Sequence, residues 1–147
     1  MKKFLIVSVV LILTLATPVY ADDFQDAIDA YEREDYELAL QKFKPLAEQE
    51  YANAQLWVGL MYGRGHGVAV DYAIAMKWTR KAAVKGYAKA QFKLGIMYHR
   101  GLGVARDYKE TAKWYRLAAE KGFAEAQYYL GNMYIDVCAQ CQASNSK

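Results

Sequence analysis

Apolar residues recur three or four positions apart along the chain, as at Leu56, Gly59 and Leu60 and again at Ala75, Trp78, Thr79 and Ala82. That spacing places them on one face of an α-helix, and Ala, Leu, Met, Lys, Glu and Gln, all good helix formers, dominate the segments between glycines. The pattern then returns as a whole, shifted by 36 residues, with 20 of 36 positions identical between 52–87 and 88–123. Ala52-Asn53-Ala54-Gln55 reappears as Ala88-Lys89-Ala90-Gln91 and as Ala124-Glu125-Ala126-Gln127. A period of this length signals stacked supersecondary units that share one continuous core. Each unit is predicted to hold a helix A over Ala52–Tyr62, a loop containing Gly65 and Gly67, a helix B over Tyr72–Lys85 and a stop at Gly86.

The boundaries carry their own chemistry. Lys85-Gly86 and Lys121-Gly122 suit a left-handed glycine closing helix B. Asp71 and Asp107 are predicted N-caps, Asp107-x-x-Glu110 has capping-box spacing, and Asp35 holds the same register one unit earlier. Gly59, Gly95 and Gly131 lie inside helix A, where glycine costs about 1 kcal/mol relative to alanine. They predict a close crossing of the two helices, with Ala82-Ala83 and Ala118-Ala119 as the small residues opposite. The recurring Tyr62, Tyr98, Tyr134, Tyr72, Tyr108, Trp78 and Trp114 are expected in the core rather than on a stacking platform, because buried aromatics dominate small cores.

The amino terminus changes the picture of the compartment. Lys2 and Lys3 precede an uncharged apolar run, Phe4 to Thr17, which Pro18 stops before the small-x-small sequence Val19-Tyr20-Ala21. This predicts a signal peptide over 1–21, cleaved after Ala21. The run is shorter than the roughly 20 residues of a membrane span, so no stable membrane insertion is expected after cleavage, and the protein is expected in the periplasm or outside the cell. Removing the leader's two lysines leaves 17 basic against 16 acidic residues. That balance gives no reason to expect nucleic acid as a partner. The remainder reads as one repeat domain over 22–136, in units 22–51, 52–87, 88–123 and a partial 124–136, followed by a tail, 137–147, expected to be poorly ordered.

Candidate chemistry is sparse. Beyond the leader the only serines are Ser144 and Ser146; Ser144-Asn145-Ser146-Lys147 spells S-x-x-K, but its partner motifs are missing. His66 and His99 occupy different repeat positions and read as exposed loop residues. The glycine pairs Gly65/Gly67 and Gly101/Gly103 follow helices rather than strands, which excludes a dinucleotide-type phosphate loop. Neither a catalytic residue, a metal site nor a cofactor is predicted. Cys138 and Cys141 stand outside the repeat pattern. A local disulfide is the expected form; half of a metal site, a redox pair and a cross-link between chains are the alternatives.

The string A-x-A-Q-x-x-L-G-x-M-Y-x-x-G-x-G-V-x-x-D-Y-x-x-x-x-K-W-x-x-x-A-A-x-x-G, present at 52–86 with Val58 for the leucine and at 88–122, resembles the Sel1-like repeat, a relative of the tetratricopeptide repeat. The resemblance extends in part to Asp35–Ala47, similar to a helix B, and to Ala124–Tyr134, similar to a helix A. Phe24–Arg33 would be the first helix A, joined through a tight turn at Glu34-Asp35. The resemblance implies an all-α fold: an α/α right-handed superhelical solenoid of antiparallel helix pairs. It also implies an exported, non-catalytic adaptor of the bacterial envelope with a protein partner, since the family shares no catalytic residues. Cysteine-rich relatives staple each helix pair with a disulfide and are linked to β-lactams. Neither full repeat here contains cysteine, and an envelope enzyme acting on β-lactams or peptidoglycan is the alternative.

In related superhelices helix A lines the concave groove. The columns that differ between units, Asn53/Lys89/Glu125 and, one turn on, Trp57/Lys93/Tyr129, are therefore the predicted partner-binding positions for a peptide or helix. After Tyr134 the repeat fails: Val137 and Ala139 replace the loop glycines and Ala143 the N-cap. Tyr128, Leu130, Met133 and Ile135 are expected to lack a covering helix, which makes a homodimer through this uncapped end an expectation as well.

Overall fold

The computed structural model describes residues 17–145, with side chains described over 22–134. The described residues form seven helices: α1 Thr17–Glu32, α2 Tyr36–Glu48, α3 Ala52–Arg64, α4 Tyr72–Val84, α5 Ala88–Arg100, α6 Tyr108–Glu120 and α7 Ala124–Asn145. Each packs on the helices immediately before and after it in sequence, the arrangement of an α-helical solenoid. Residues 1–16 of the expected leader lie outside the described residues, and α1 begins before Ala21. The backbone of α7 continues as helix through 137–145, the segment expected as a tail.

Aspartates open the B helices. Asp35 accepts from the Leu38 N–H at 3.3 Å, Asp71 from Ile74 at 2.9 Å, and Asp107 from Lys109 and Glu110 at 2.9 and 3.0 Å. The capping box at Asp107 stays half-formed. The Asp107 N–H already donates to the Tyr98 carbonyl at 3.1 Å, so Glu110 turns instead to Lys113 and to the Trp114 indole N–H at 2.9 Å. At the other end, Gly86 and Gly122 take φ of 87° and 81°, and Glu50 occupies the equivalent position at 71°, a conformation that costs a non-glycine residue.

Helix A and helix B do cross closely at the internal glycines, but against other residues than expected. A Cβ on Gly59 would sit 2.6 Å from Thr79 Oγ1, and one on Gly95 would sit 2.5 Å from Tyr115 Cδ1. The next unit instead takes backbone carbonyls near the ends of the B helices. Gln55 Nε2 donates to the Ala47 carbonyl at 3.1 Å, Gln91 to Ala83 at 3.2 Å and Gln127 to Ala119 at 3.1 Å. A helix B in a solenoid has two apolar faces, one for its own helix A and one for the next, and Ala82 and Ala83 are buried among residues of both units, Leu56 and Met76 of their own and Ala90 and Leu94 of the next. Gly131 has nothing within 4 Å, because no helix is packed over it among the described residues.

Two further devices join unit to unit. A Cβ on Gly67, at φ 70°, would lie 2.5 Å from the Tyr36 carbonyl; Gly103 rests in the same way on Tyr72, so each loop is seated on the start of the preceding helix B. The Tyr62/Tyr98/Tyr134 column meets the preceding helix B through a cation. Lys44 lies over the Tyr62 ring at 5.6 Å, Arg80 donates to the Tyr98 hydroxyl, and Arg116 donates to Tyr134 at 3.0 Å. Trp114 and Tyr98 are buried, as expected for core, whereas Tyr72 and Tyr108 are 41% and 54% exposed. These two are the first residues of their helices, where Tyr72 contributes its backbone carbonyl to the loop seat and leaves its ring outside.

Candidate functional site: a cationic groove at the middle joint

Position 43 of α2 and its equivalents, Thr79 of α4 and Tyr115 of α6, are placed to meet the Trp57/Lys93/Tyr129 column of the next helix A. At the first joint Phe43 and Trp57 stack at 5.4 Å with ring planes 2° apart, and Tyr31 closes on Trp57 at 4.8 Å. At the last joint Tyr115 and Tyr129 lie 5.9 Å apart, with Phe92 against them at 5.4 and 5.5 Å. The middle joint has no such aromatic pair. Thr79 and Lys93 stand there, and a groove of about 610 Å³ opens.

Its floor includes Ala75 and Thr79, and its walls are Leu60, Phe92, Ile96 and Tyr129. Arg64, Lys93 and Arg100 supply positive charge, with Glu125 as the acidic member. Burial first, and then the charges of Arg64, Lys89 and Arg100, hold the Lys93 ammonium below the ordinary lysine value; Glu125 opposes the shift. None of the three groove cations is ion-paired among the described residues. Arg64 donates to the Tyr31 hydroxyl at 3.1 Å, which in turn contacts His66 Nδ1 at 2.9 Å. Beside the groove, the Tyr115 phenol is pushed up to about 12, by burial first and by Tyr129 second.

Of the expected partner-binding residues, Lys93, Glu125 and Tyr129 line this groove and Asn53, Trp57 and Lys89 do not. Trp57 is taken by its stack on Phe43. Arg64, Arg100 and Thr79 belong to the groove without having been singled out in the sequence. The charge partition was a usable signal: residues 22–51 hold ten acidic and three basic side chains, a net −7, while 52–123 hold thirteen basic and four acidic, a net +9. His66 is half-buried and stacked on Tyr36 at 4.2 Å rather than exposed in its loop, and His99 lies in the last turn of α5, exposed. Among the described residues no group of three metal-ligating side chains converges. Cys138 and Cys141 fall on α7, where side chains lie outside the described residues.

The repeat, the glycine-seated loops and the open joint define a helical-repeat scaffold. The Sel1 repeat family model matches residues 52–87, 88–123 and 124–136, and the chain belongs to that family, whose members are generally protein–protein interaction scaffolds. It is similar to the Sel1 repeat protein of Oxalobacter formigenes at 37% identity and TM-score 0.73, over 76% of this chain and 46% of that one. It is also similar to a protective antigen of uropathogenic Escherichia coli strains that displays an SLR fold, at 47% identity and TM-score 0.66, over 67% of this chain and 21% of that one. The chain thus spans less than half the length of either. Cysteine rich protein B of Helicobacter pylori shares the fold at 20% identity and TM-score 0.61, with 78% and 97% covered. No curated protein matches the chain.

Proposed function

We propose that the protein is an exported, non-catalytic interaction scaffold of the bacterial envelope, and that the groove at the middle joint receives a peptide or helix of a partner protein. The open joint carries this reading: the packing that fills the joints on either side is replaced by Thr79 and Lys93 beside a 610 Å³ space. Export rests on the leader pattern, and N-terminal sequencing of the processed protein should begin at Asp22. Affinity capture from the envelope fraction, with wild type and Lys93→Trp side by side, tests the groove. A partner held equally by both proteins would remove it from this role. Covalent labelling of the purified chain by a fluorescent β-lactam would replace the scaffold reading with the enzymatic one. A second surface is the open face of α7, where Tyr128 is 67% and Tyr134 52% exposed. Self-association there should be lost in Tyr128→Glu by sedimentation analysis, and a monomer at every concentration would reject it.

A further inference from the structure

We propose that the groove at the middle joint selects an acidic segment with one bulky aromatic side chain, whose ring takes the space that the aromatic pairs occupy at the two flanking joints. This rests on the groove being the partner site and adds the partner's chemistry. The space follows from the repeat register. Phe43 with Trp57 and Tyr115 with Tyr129 fill their joints with paired rings, and the equivalent positions between them hold a threonine and a lysine. Phe92 and Tyr129 remain as aromatic walls, with Leu60 and Ile96 completing an apolar slot. A guest ring finds edge and face contacts there of the kind ring pairs prefer.

The charge decides what flanks that ring. Arg64, Lys93 and Arg100 border the slot, Glu125 is the acid among them, and all three cations lack an ion-pair partner among the described residues. Lys93 is half-buried between like charges. A carboxylate beside it relieves that repulsion and steers encounter, whereas a basic or neutral segment leaves it in place. The chain's own acidic stretch is not the guest, because Phe24 is already packed on Phe43 and Tyr51 at 5.5 and 5.4 Å.

The test is titration of the full processed chain with fluorescent peptides: Asp-Glu-Trp-Glu-Asp, its amide twin Asn-Gln-Trp-Gln-Asn and its alanine twin Asp-Glu-Ala-Glu-Asp. The first should bind at least about tenfold more tightly than either twin, a difference expected when charge complementarity and a buried anchor act together, and added salt should weaken it. Lys93→Trp, which copies the filled first joint, should abolish binding. Lys93→Gln, of similar size and with circular dichroism unchanged, should reduce it. Equal binding of the amide twin overturns the acidic preference, and equal binding of the alanine twin overturns the aromatic anchor. Absence of binding to all peptides overturns the proposal; if Lys93→Trp still loses envelope capture, the groove reading survives that failure, and if it does not, both fall.

Discussion

The joint between the first and second units and the joint between the second and third use the same repeat positions to opposite ends. In the first, Phe43, Trp57 and Tyr31 form a packed aromatic cluster, under a unit of net charge −7. In the second, Thr79 and Lys93 hold a cationic opening within units of net charge +9. A repeat therefore does not make every joint equivalent. The invariant glycines and glutamines set how the layers stack, and one variable pair decides whether a joint is closed or receptive.

The largest test of that contrast compares Trp57→Ala with Lys93→Ala. Removing the stacked indole should cost about 3 kcal/mol, while trimming Lys93 at an open joint should change stability by less than about 0.5 kcal/mol, read from urea unfolding. Comparable losses would mean that the joints are packed alike. Simultaneous alanine replacement at Trp57, Lys93 and Tyr129 is thus a poor probe of binding, since its first member holds the fold.

Glycine substitutions extend the comparison to α7. Gly95→Ala drives a methyl against Tyr115 and should destabilise by about 2 kcal/mol, as overpacking does. Gly131→Ala meets nothing within 4 Å and should stabilise by up to about 1 kcal/mol through helix propensity. The same substitution should thus move the thermal midpoint in opposite directions, and a loss at both sites would show that α7 is covered.

Base should separate the middle and last joints. Tyr115 has its folded value raised to about 12, so its contribution is complete below an unfolded value of about 10 and is lost as pH climbs from there, by up to about 3 kcal/mol. Lys93 is lowered in the folded state; its unfavourable charging is present at neutral pH and fades as pH rises through the lowered value. Urea midpoints across alkaline pH should show Tyr115→Phe flattening the decline and Lys93→Met removing an opposing rise. Parallel curves for all three proteins would refute both assignments.

The smallest expected effect is at Glu50, which holds φ 71° where the later units have glycine. Glu50→Gly should raise the unfolding midpoint slightly, because relief of the left-handed backbone is partly offset by losing the Lys85 ion pair at 2.8 Å. A lower midpoint would show that the ion pair outweighs the strain.

Much of the fold was legible in the sequence because its determinants are local. Helical spacing, the capping aspartates at 35, 71 and 107 and the closing glycines each act within a turn of the residues they control. The internal glycines announced a close crossing, yet not its partners, which are Thr79 and Tyr115 rather than the alanines one turn further along helix B. Tyr72 and Tyr108 repeat like core residues while their rings stay exposed; at Tyr72 the repeated feature is the backbone carbonyl on which Gly103 rests.

By itself, the sequence determined the period, the helices, their ends and the identity of the scaffold. Only the tertiary structure decided that Trp57 packs against the core while its equivalent Lys93 borders an opening, and that Arg64, Arg100 and Glu125 share one groove with Lys93. Helix periodicity assigns a residue to a face of its own helix. Which residue of another helix stands opposite depends on how the layers rotate and stack, and that is fixed by contacts such as Gly59 on Thr79 and Gly103 on Tyr72, made between segments distant along the chain.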